Sequence, residues 1–131
     1  YTDAQYSNVA VGEGDHVPGA IEHVLQAGIS ANFANGWFMN TRIRYFGERP
    51  LEETGEVTSD SSTLANFRLG FRQDNWSFKA DILNAFDSND HDIDYFYASR
   101  LSSEPSGVAT EDVHYHVLEP RTVRLSATYH F

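Results

Sequence analysis

From Val123 to Phe131 the chain alternates without a break. Val123, Leu125, Ala127, Tyr129 and Phe131 are apolar or aromatic, and Arg124, Ser126, Thr128 and His130 are polar. A period of two places the two sets on opposite faces of a β-strand, whereas a helix would scatter both around its circumference. The final residue belongs to the apolar face. Chain ends ordinarily fray, but a strand that turns one face to lipid and the other to water has reason to end this way.

The same alternation recurs upstream. Leu25, Ala27, Ile29, Ala31 and Phe33 oppose Val24, Gln26, Gly28, Ser30 and Asn32. Asn35-Gly36 follows, a strong hairpin signal, and predicts a tight turn with both central residues at positive φ. Trp37, Met39, Thr41, Ile43 and Tyr45 then oppose Phe38, Asn40, Arg42, Arg44 and Phe46. Ala65, Phe67, Leu69 and Phe71 oppose Asn66, Arg68, Gly70 and Arg72. After a turn at Gln73-Asp74-Asn75, Trp76, Phe78, Ala80 and Ile82 oppose Ser77, Lys79, Asp81 and Leu83. The parity slips near Asn84-Ala85-Phe86, which predicts a bulge or the strand's exit. Ile93 to Leu101 is expected to extend a strand and fold back on Val113–His116, and Tyr1 to Asn8 to be a short strand or the end of one. The fold class is therefore all-β: an antiparallel up-and-down meander of about six strands.

The connections alternate in kind. Short turns at Asn35-Gly36 and Gln73–Asn75 are interleaved with long polar segments at 9–20, 48–62 and 87–112. Transmembrane barrels have short periplasmic turns and long extracellular loops. Phe33, Trp37, Phe71, Trp76, Tyr129 and Phe131 all fall near the short-turn side, where an interfacial aromatic girdle belongs. No helix crosses a membrane here: the longest apolar run is Tyr95–Ala98, against roughly 20 residues needed. Alternation alone is met equally by a soluble antiparallel sheet with one buried face. A small outer-membrane barrel or a soluble β-sandwich binding protein is thus the alternative.

Nine basic against nineteen acidic residues give a net charge of −10, which argues against a nucleic-acid partner. Without cysteine there is no disulfide, thiolate metal site or cysteine nucleophile. Tyr1-Thr2-Asp3 lacks the basic start and apolar core of a signal peptide. The chain is expected to be a mature product or a piece of a longer protein.

Candidate site residues fall into three groups. Arg42, Arg44, Arg68, Arg72, Lys79 and Arg124 recur on the polar face, where buried charges must find partners; Arg72, Lys79 and Arg124 are expected to lie nearest the short turns. Asp90, His91, Asp92 and Asp94 gather the oxygen ligands a hard cation prefers, although a solvated loop is the favoured reading of such a charge run. His91, His114 and His116 would offer imidazoles to a transition metal if a hairpin brought them together. No nucleophile–base arrangement accompanies Glu119-Pro120-Arg121, so neither enzyme activity nor a cofactor is expected.

The order and spacing of several segments resemble the C-terminal end of TonB-dependent outer-membrane receptors. These are Asn66-Phe67-Arg68-Leu69-Gly70-Phe71-Arg72, Trp76-Ser77-Phe78 leading to Asn84-Ala85-Phe86-Asp87, Tyr95 to Leu101, His116 to Thr122, and the terminal Phe131. Arg44-Tyr45-Phe46-Gly47-Glu48-Arg49-Pro50 is similar to a strand exit of the family. Val117 stands where the family often has proline. The resemblance implies that residues 1–131 form the C-terminal part of a barrel of about 22 strands, with the plug domain absent. It implies a bacterial outer-membrane location and import of a scarce small-molecule ligand (an iron chelate, cobalamin or sugar). It implies the TonB system as a partner through a missing N-terminal region, outer-membrane lipid around the barrel, and an assembly machinery that reads Tyr129 and Phe131.

Overall fold

The computed structural model describes all residues, 1–131, and contains no helix. Nine strands form: β1 Val24–Asn32, β2 Trp37–Phe46, β3 Arg49–Pro50, β4 Thr58–Ser59, β5 Ser62–Gln73, β6 Trp76–Leu83, β7 His91–Ser99, β8 Thr110–Val117 and β9 Thr122–Tyr129. Five of them build one antiparallel sheet in the order β1-β2-β5-β6-β9. The pairs β3-β4 and β7-β8 are hairpins inserted between neighbours of that sheet. The result is an all-β antiparallel meander. It is an open sheet rather than a closed barrel, with β1 and β9 each paired on one side only.

The main sheet has five strands where the sequence suggests about six, because Tyr1 to Asn8 contributes only an isolated bridge between Gln5 and His16. Its glycine- and acid-rich continuation offers no alternating face to pair. It packs instead against β3 and the loop after it, through Gly19 N–H to Pro50 O at 2.7 Å and His16 N–H to Glu53 O at 3.1 Å.

The expected faces are found throughout. Ile29 stands opposite Thr41, Thr41 opposite Phe67, Phe67 opposite Ile82 and Ile82 opposite Val123, forming one row across all five strands. A one-residue slip in any pair would invert that strand's faces.

Both hairpins lie where expected, but the first has a different turn. Gly36 is at φ 87, while Asn35 is not in the left-handed region. Gly36 N–H donates to Phe33 O at 3.1 Å and Phe33 N–H to Trp37 O at 2.8 Å. This is a three-residue loop with glycine at the left-handed position after a turn, in place of the two-residue turn with two positive φ angles. Gly36 O then accepts from Arg72 N–H at 2.9 Å, tying the turn to β5, and a Cβ at Gly36 would meet that segment's backbone at 2.3 Å. The second loop is Asp74-Asn75, between the paired Gln73 and Trp76, with Asp74 at φ 50.

There is no conventional core. Phe38, Leu51 and Ala65 are the buried hydrophobic residues, and no large side chain is fully enclosed. The chain exposes 9577 Å², whereas a compact monomer of this mass exposes about 7,000 Å². The excess follows from a single-layer sheet with nothing stacked on its apolar side.

Candidate functional site

The apolar face is the first candidate surface. Leu25, Ile29, Phe67, Leu69 and Leu125 share it, yet form no dry core; Leu25 and Ile29 are each 66 % exposed and Leu125 77 %. From Trp37 to Tyr45 this face runs about 27 Å along the strand. Its short-turn end is aromatic. Trp37 packs on Phe71 with centroids 5.1 Å apart, Trp76 on Tyr129 at 5.0 Å, and Tyr129 edge-on to Phe131 at 5.1 Å. Alternation and turn placement together produce this row, because each aromatic sits within a residue or two of a hairpin or of the last strand's end.

The polar face carries the basic row. Cross-strand register places Arg42, Arg44, Arg68, Arg72, Lys79 and Arg124 on this one face. Only Arg68 has a carboxylate partner, Asp81, directly opposite it on β6. Arg72 instead covers the Phe38 ring, 3.9 Å from its centroid, and Arg44 lies 5.2 Å from the Phe46 centroid. Such contacts let a guanidinium lose some water without an anion. Arg72 is beside the short turn, as expected. Arg124 is not: it stands opposite Asp81, level with Arg68 in mid-strand. Phe38 lies across Gly70, where a Cβ would come 2.1 Å from its ring. An aromatic covering a glycine on the facing strand shields exposed backbone.

The far end is built from paired charges. Arg49 Nη2 meets Asp94 Oδ2 at 2.8 Å, and His91 Nδ1 meets Asp94 Oδ1 at 2.7 Å. Asp90 Oδ2 accepts the Thr63 N–H at 2.8 Å. Asp92 Oδ1 is 2.8 Å from His116 Nδ1. Asp90, Asp92 and Asp94 are thus directed to Thr63, His116 and Arg49, with His91 joined to Asp94, and no group of three His, Asp or Glu side chains converges in metal-binding geometry. The three histidines also diverge. His91 stacks on Tyr115 at 3.8 Å, His114 on Tyr97 at 4.0 Å, and His116 bonds Asp92. Tyr115 points to the strand face opposite that of His114 and His116, since neighbours in a strand alternate.

Two residues outside the sequence candidates organise this end. Asn84, buried and at φ 47, is where β6 exits. Asparagine tolerates that backbone conformation, and its side chain fastens both bends of the distal hairpin. Nδ2 donates to Ser88 O and Glu119 O, each at 2.9 Å, and Oδ1 accepts Ser88 N–H at 3.1 Å. The parity slip marked this position without revealing its partners. Arg49 is the other. Its signal was its isolation: it is the one basic residue between Glu48 and Asp60.

Glu52 shapes the 51–57 loop. Its carboxylate accepts N–H bonds from Thr54 at 2.7 Å, Glu56 at 2.6 Å and Val57 at 3.1 Å. The Thr54 hydroxyl and then the Val57 N–H favour the ionised form most, holding its pKa down to about 2.

Comparison with known protein families, curated proteins and solved structures finds no match to this chain.

Proposed function

We propose that this chain is a segment of a transmembrane β-barrel wall, the C-terminal part of an outer-membrane receptor of the TonB-dependent kind. The observation that carries the membrane reading is the apolar face, open to its surroundings across all five strands and ending in the Trp37–Phe71 and Trp76–Tyr129 aromatic row. Exposed apolar patches of this extent mark interaction with lipid or protein. Lipid suits a face whose aromatics gather at one end, because indole and phenol rings prefer the headgroup level. The two unpaired edges require further strands, since unpaired backbone groups in lipid cost several kcal/mol each.

The transport reading rests on the segment order from Asn66 to Phe131. In that role the parent protein imports a scarce iron chelate, cobalamin or sugar, taking energy from TonB through a region outside this chain. Tyr129 and Phe131 serve as the assembly signal.

The test is depth-dependent quenching of Trp37 and Trp76 by brominated lipids after reconstitution in vesicles, paired with TonB-dependent uptake by the full-length parent. Strong quenching from bromines near the headgroups, together with energy-dependent uptake, is expected. A monodisperse water-soluble monomer whose tryptophans ignore brominated lipid would sink the membrane reading. Uptake unaffected by loss of TonB would sink the transport reading alone.

A further inference from the structure

Where the β7–β8 hairpin bends over the polar face of the main sheet there is a cavity of about 320 Å³. Leu64, Leu83, Leu118 and Pro120 supply its apolar walls. Asn66, Asn84, Asp92, His116 and Glu119 supply its polar groups, and neither lysine nor arginine lines it. Asp92 is held by His116 at 2.8 Å. The Glu119 carboxylate has no cationic partner within the chain; its backbone carbonyl is what Asn84 uses. Arg42 and Arg44 stand on β2 opposite Asn66 and Leu64 of this lining; Arg44 also borders an adjoining crevice with Asp92 and is engaged with the Phe46 ring.

Charge is segregated along the whole molecule in a way that bears on this cavity. Asp81 is the sole acid within the five main strands, which hold six of the nine basic residues. The distal segments hold the other three, Arg49, Arg100 and Arg121, among nearly all the remaining acids. Two of these arginines are already paired, Arg49 with Asp94 and Arg121 with Asp87. A like-charged rim around a partly apolar cleft concentrates ligands of opposite sign.

We propose that this cavity binds a small organic cation, an ammonium or guanidinium group carried on a short aliphatic body. The cationic head sits between Asp92 and Glu119, with Asn66 and His116 as polar neighbours. The aliphatic body packs on Leu64, Leu83, Leu118 and Pro120. An anion meets two carboxylates in a lining without lysine or arginine, and a neutral polyol forgoes the charge-assisted bonds that make the head-group contact strong. The inference rests on the receptor reading only in setting this cavity on the water-filled side of a barrel wall.

The experiment is calorimetric titration of the full chain in detergent micelles at pH 8, using agmatine, 1,4-butanediol and glutarate as cationic, neutral and anionic probes of similar length. Agmatine is expected to bind, to weaken with added salt, and to lose about tenfold in affinity in Glu119→Gln. Asp92→Asn, which keeps the side chain's shape, is expected to show a similar loss, and Glu104→Gln, a distal acid outside the cavity, none. Butanediol binding as tightly as agmatine, stronger binding of glutarate, no agmatine binding, or an unchanged affinity in Glu119→Gln each overturns the proposal. Brominated-lipid quenching of the same preparation reports the membrane reading independently, so the two fail separately.

Discussion

Arg49 and Asp94 lie 45 residues apart in sequence and meet at 2.8 Å with their side chains 6 % and 2 % exposed. Their contact joins β3 to β7, two hairpins that share no backbone pairing. Removing one member of a buried pair leaves the other charged and unsolvated, at a cost of about 3–5 kcal/mol. Asp94→Ala is therefore expected to lower stability by about that amount in urea titrations of the micelle-bound chain, with hydrogen exchange rising first in β7 and β8. Replacing both residues together, Arg49→Met with Asp94→Leu, is expected to cost less than Asp94→Ala alone. A loss below about 1 kcal/mol in Asp94→Ala, the value of an exposed pair, would show that water reaches this contact.

Gly70 is fixed by Phe38 rather than by its own backbone. A methyl group there would come within 2.1 Å of the ring, and the ring is further confined by the Arg72 guanidinium 3.9 Å from its centroid. Gly70→Ala is expected to destabilise by about 1–3 kcal/mol, the usual range for overpacking. The same substitution in a Phe38→Ala background is expected to cost much less, because the colliding ring is gone. A double-mutant cycle checks this. Additive losses would mean that Gly70 is needed for another reason.

Strand faces were legible in the sequence because alternation is a local property that pairing preserves. The row from Ile29 through Thr41, Phe67 and Ile82 to Val123 follows from period two once the hairpins are placed. The turn at Asn35 was legible in place but not in type. An Asn-Gly pair fits both a two-residue turn and a longer loop with glycine alone at positive φ, and the tie from Gly36 to Arg72 comes from a strand more than 30 residues away. The distal pairings were not legible. Acidic residues at 90, 92 and 94 look alike in sequence, but each meets a different partner supplied by β5, β3 or β8. Arg124 was misplaced for a related reason: distance from a turn depends on the register with β6, which composition does not specify.

Glu52 gives the 51–57 loop a defined acid response. Its carboxyl titrates near 2 in the folded chain, against an ordinary value of 4.5. A group whose folded pKa is depressed contributes stability that is fully present above the unfolded value and is lost as pH falls through the folded one. The loop is therefore expected to hold its form at pH 5 and above and to loosen between about pH 4.5 and 2. Amide exchange at Thr54, Glu56 and Val57, read against pH, checks this, with Glu52→Ala expected to raise exchange at those amides even at neutral pH. A Glu52 carboxyl midpoint near 4.5 by NMR would contradict it.

Leu125 offers a test in which water and lipid give opposite signs. It is 77 % exposed on the apolar face, in a row with Ala80, Leu69 and Met39, well within the apolar strip rather than at its aromatic edge. On a face that water touches, Leu125→Arg removes no buried contact and is expected to change stability by less than about 0.5 kcal/mol while improving solubility. On a face that lipid touches, arginine near the bilayer midplane costs about 2–4 kcal/mol. The receptor reading predicts the second outcome: a loss of about 2–4 kcal/mol for Leu125→Arg in vesicle-reconstituted chain, measured by reversible denaturant titration. Ser126→Arg, the adjacent position on the polar face, is expected to change stability little in the same vesicles. Equal effects at the two positions would remove the distinction between a lipid face and a water face, and with it the membrane assignment of this sheet.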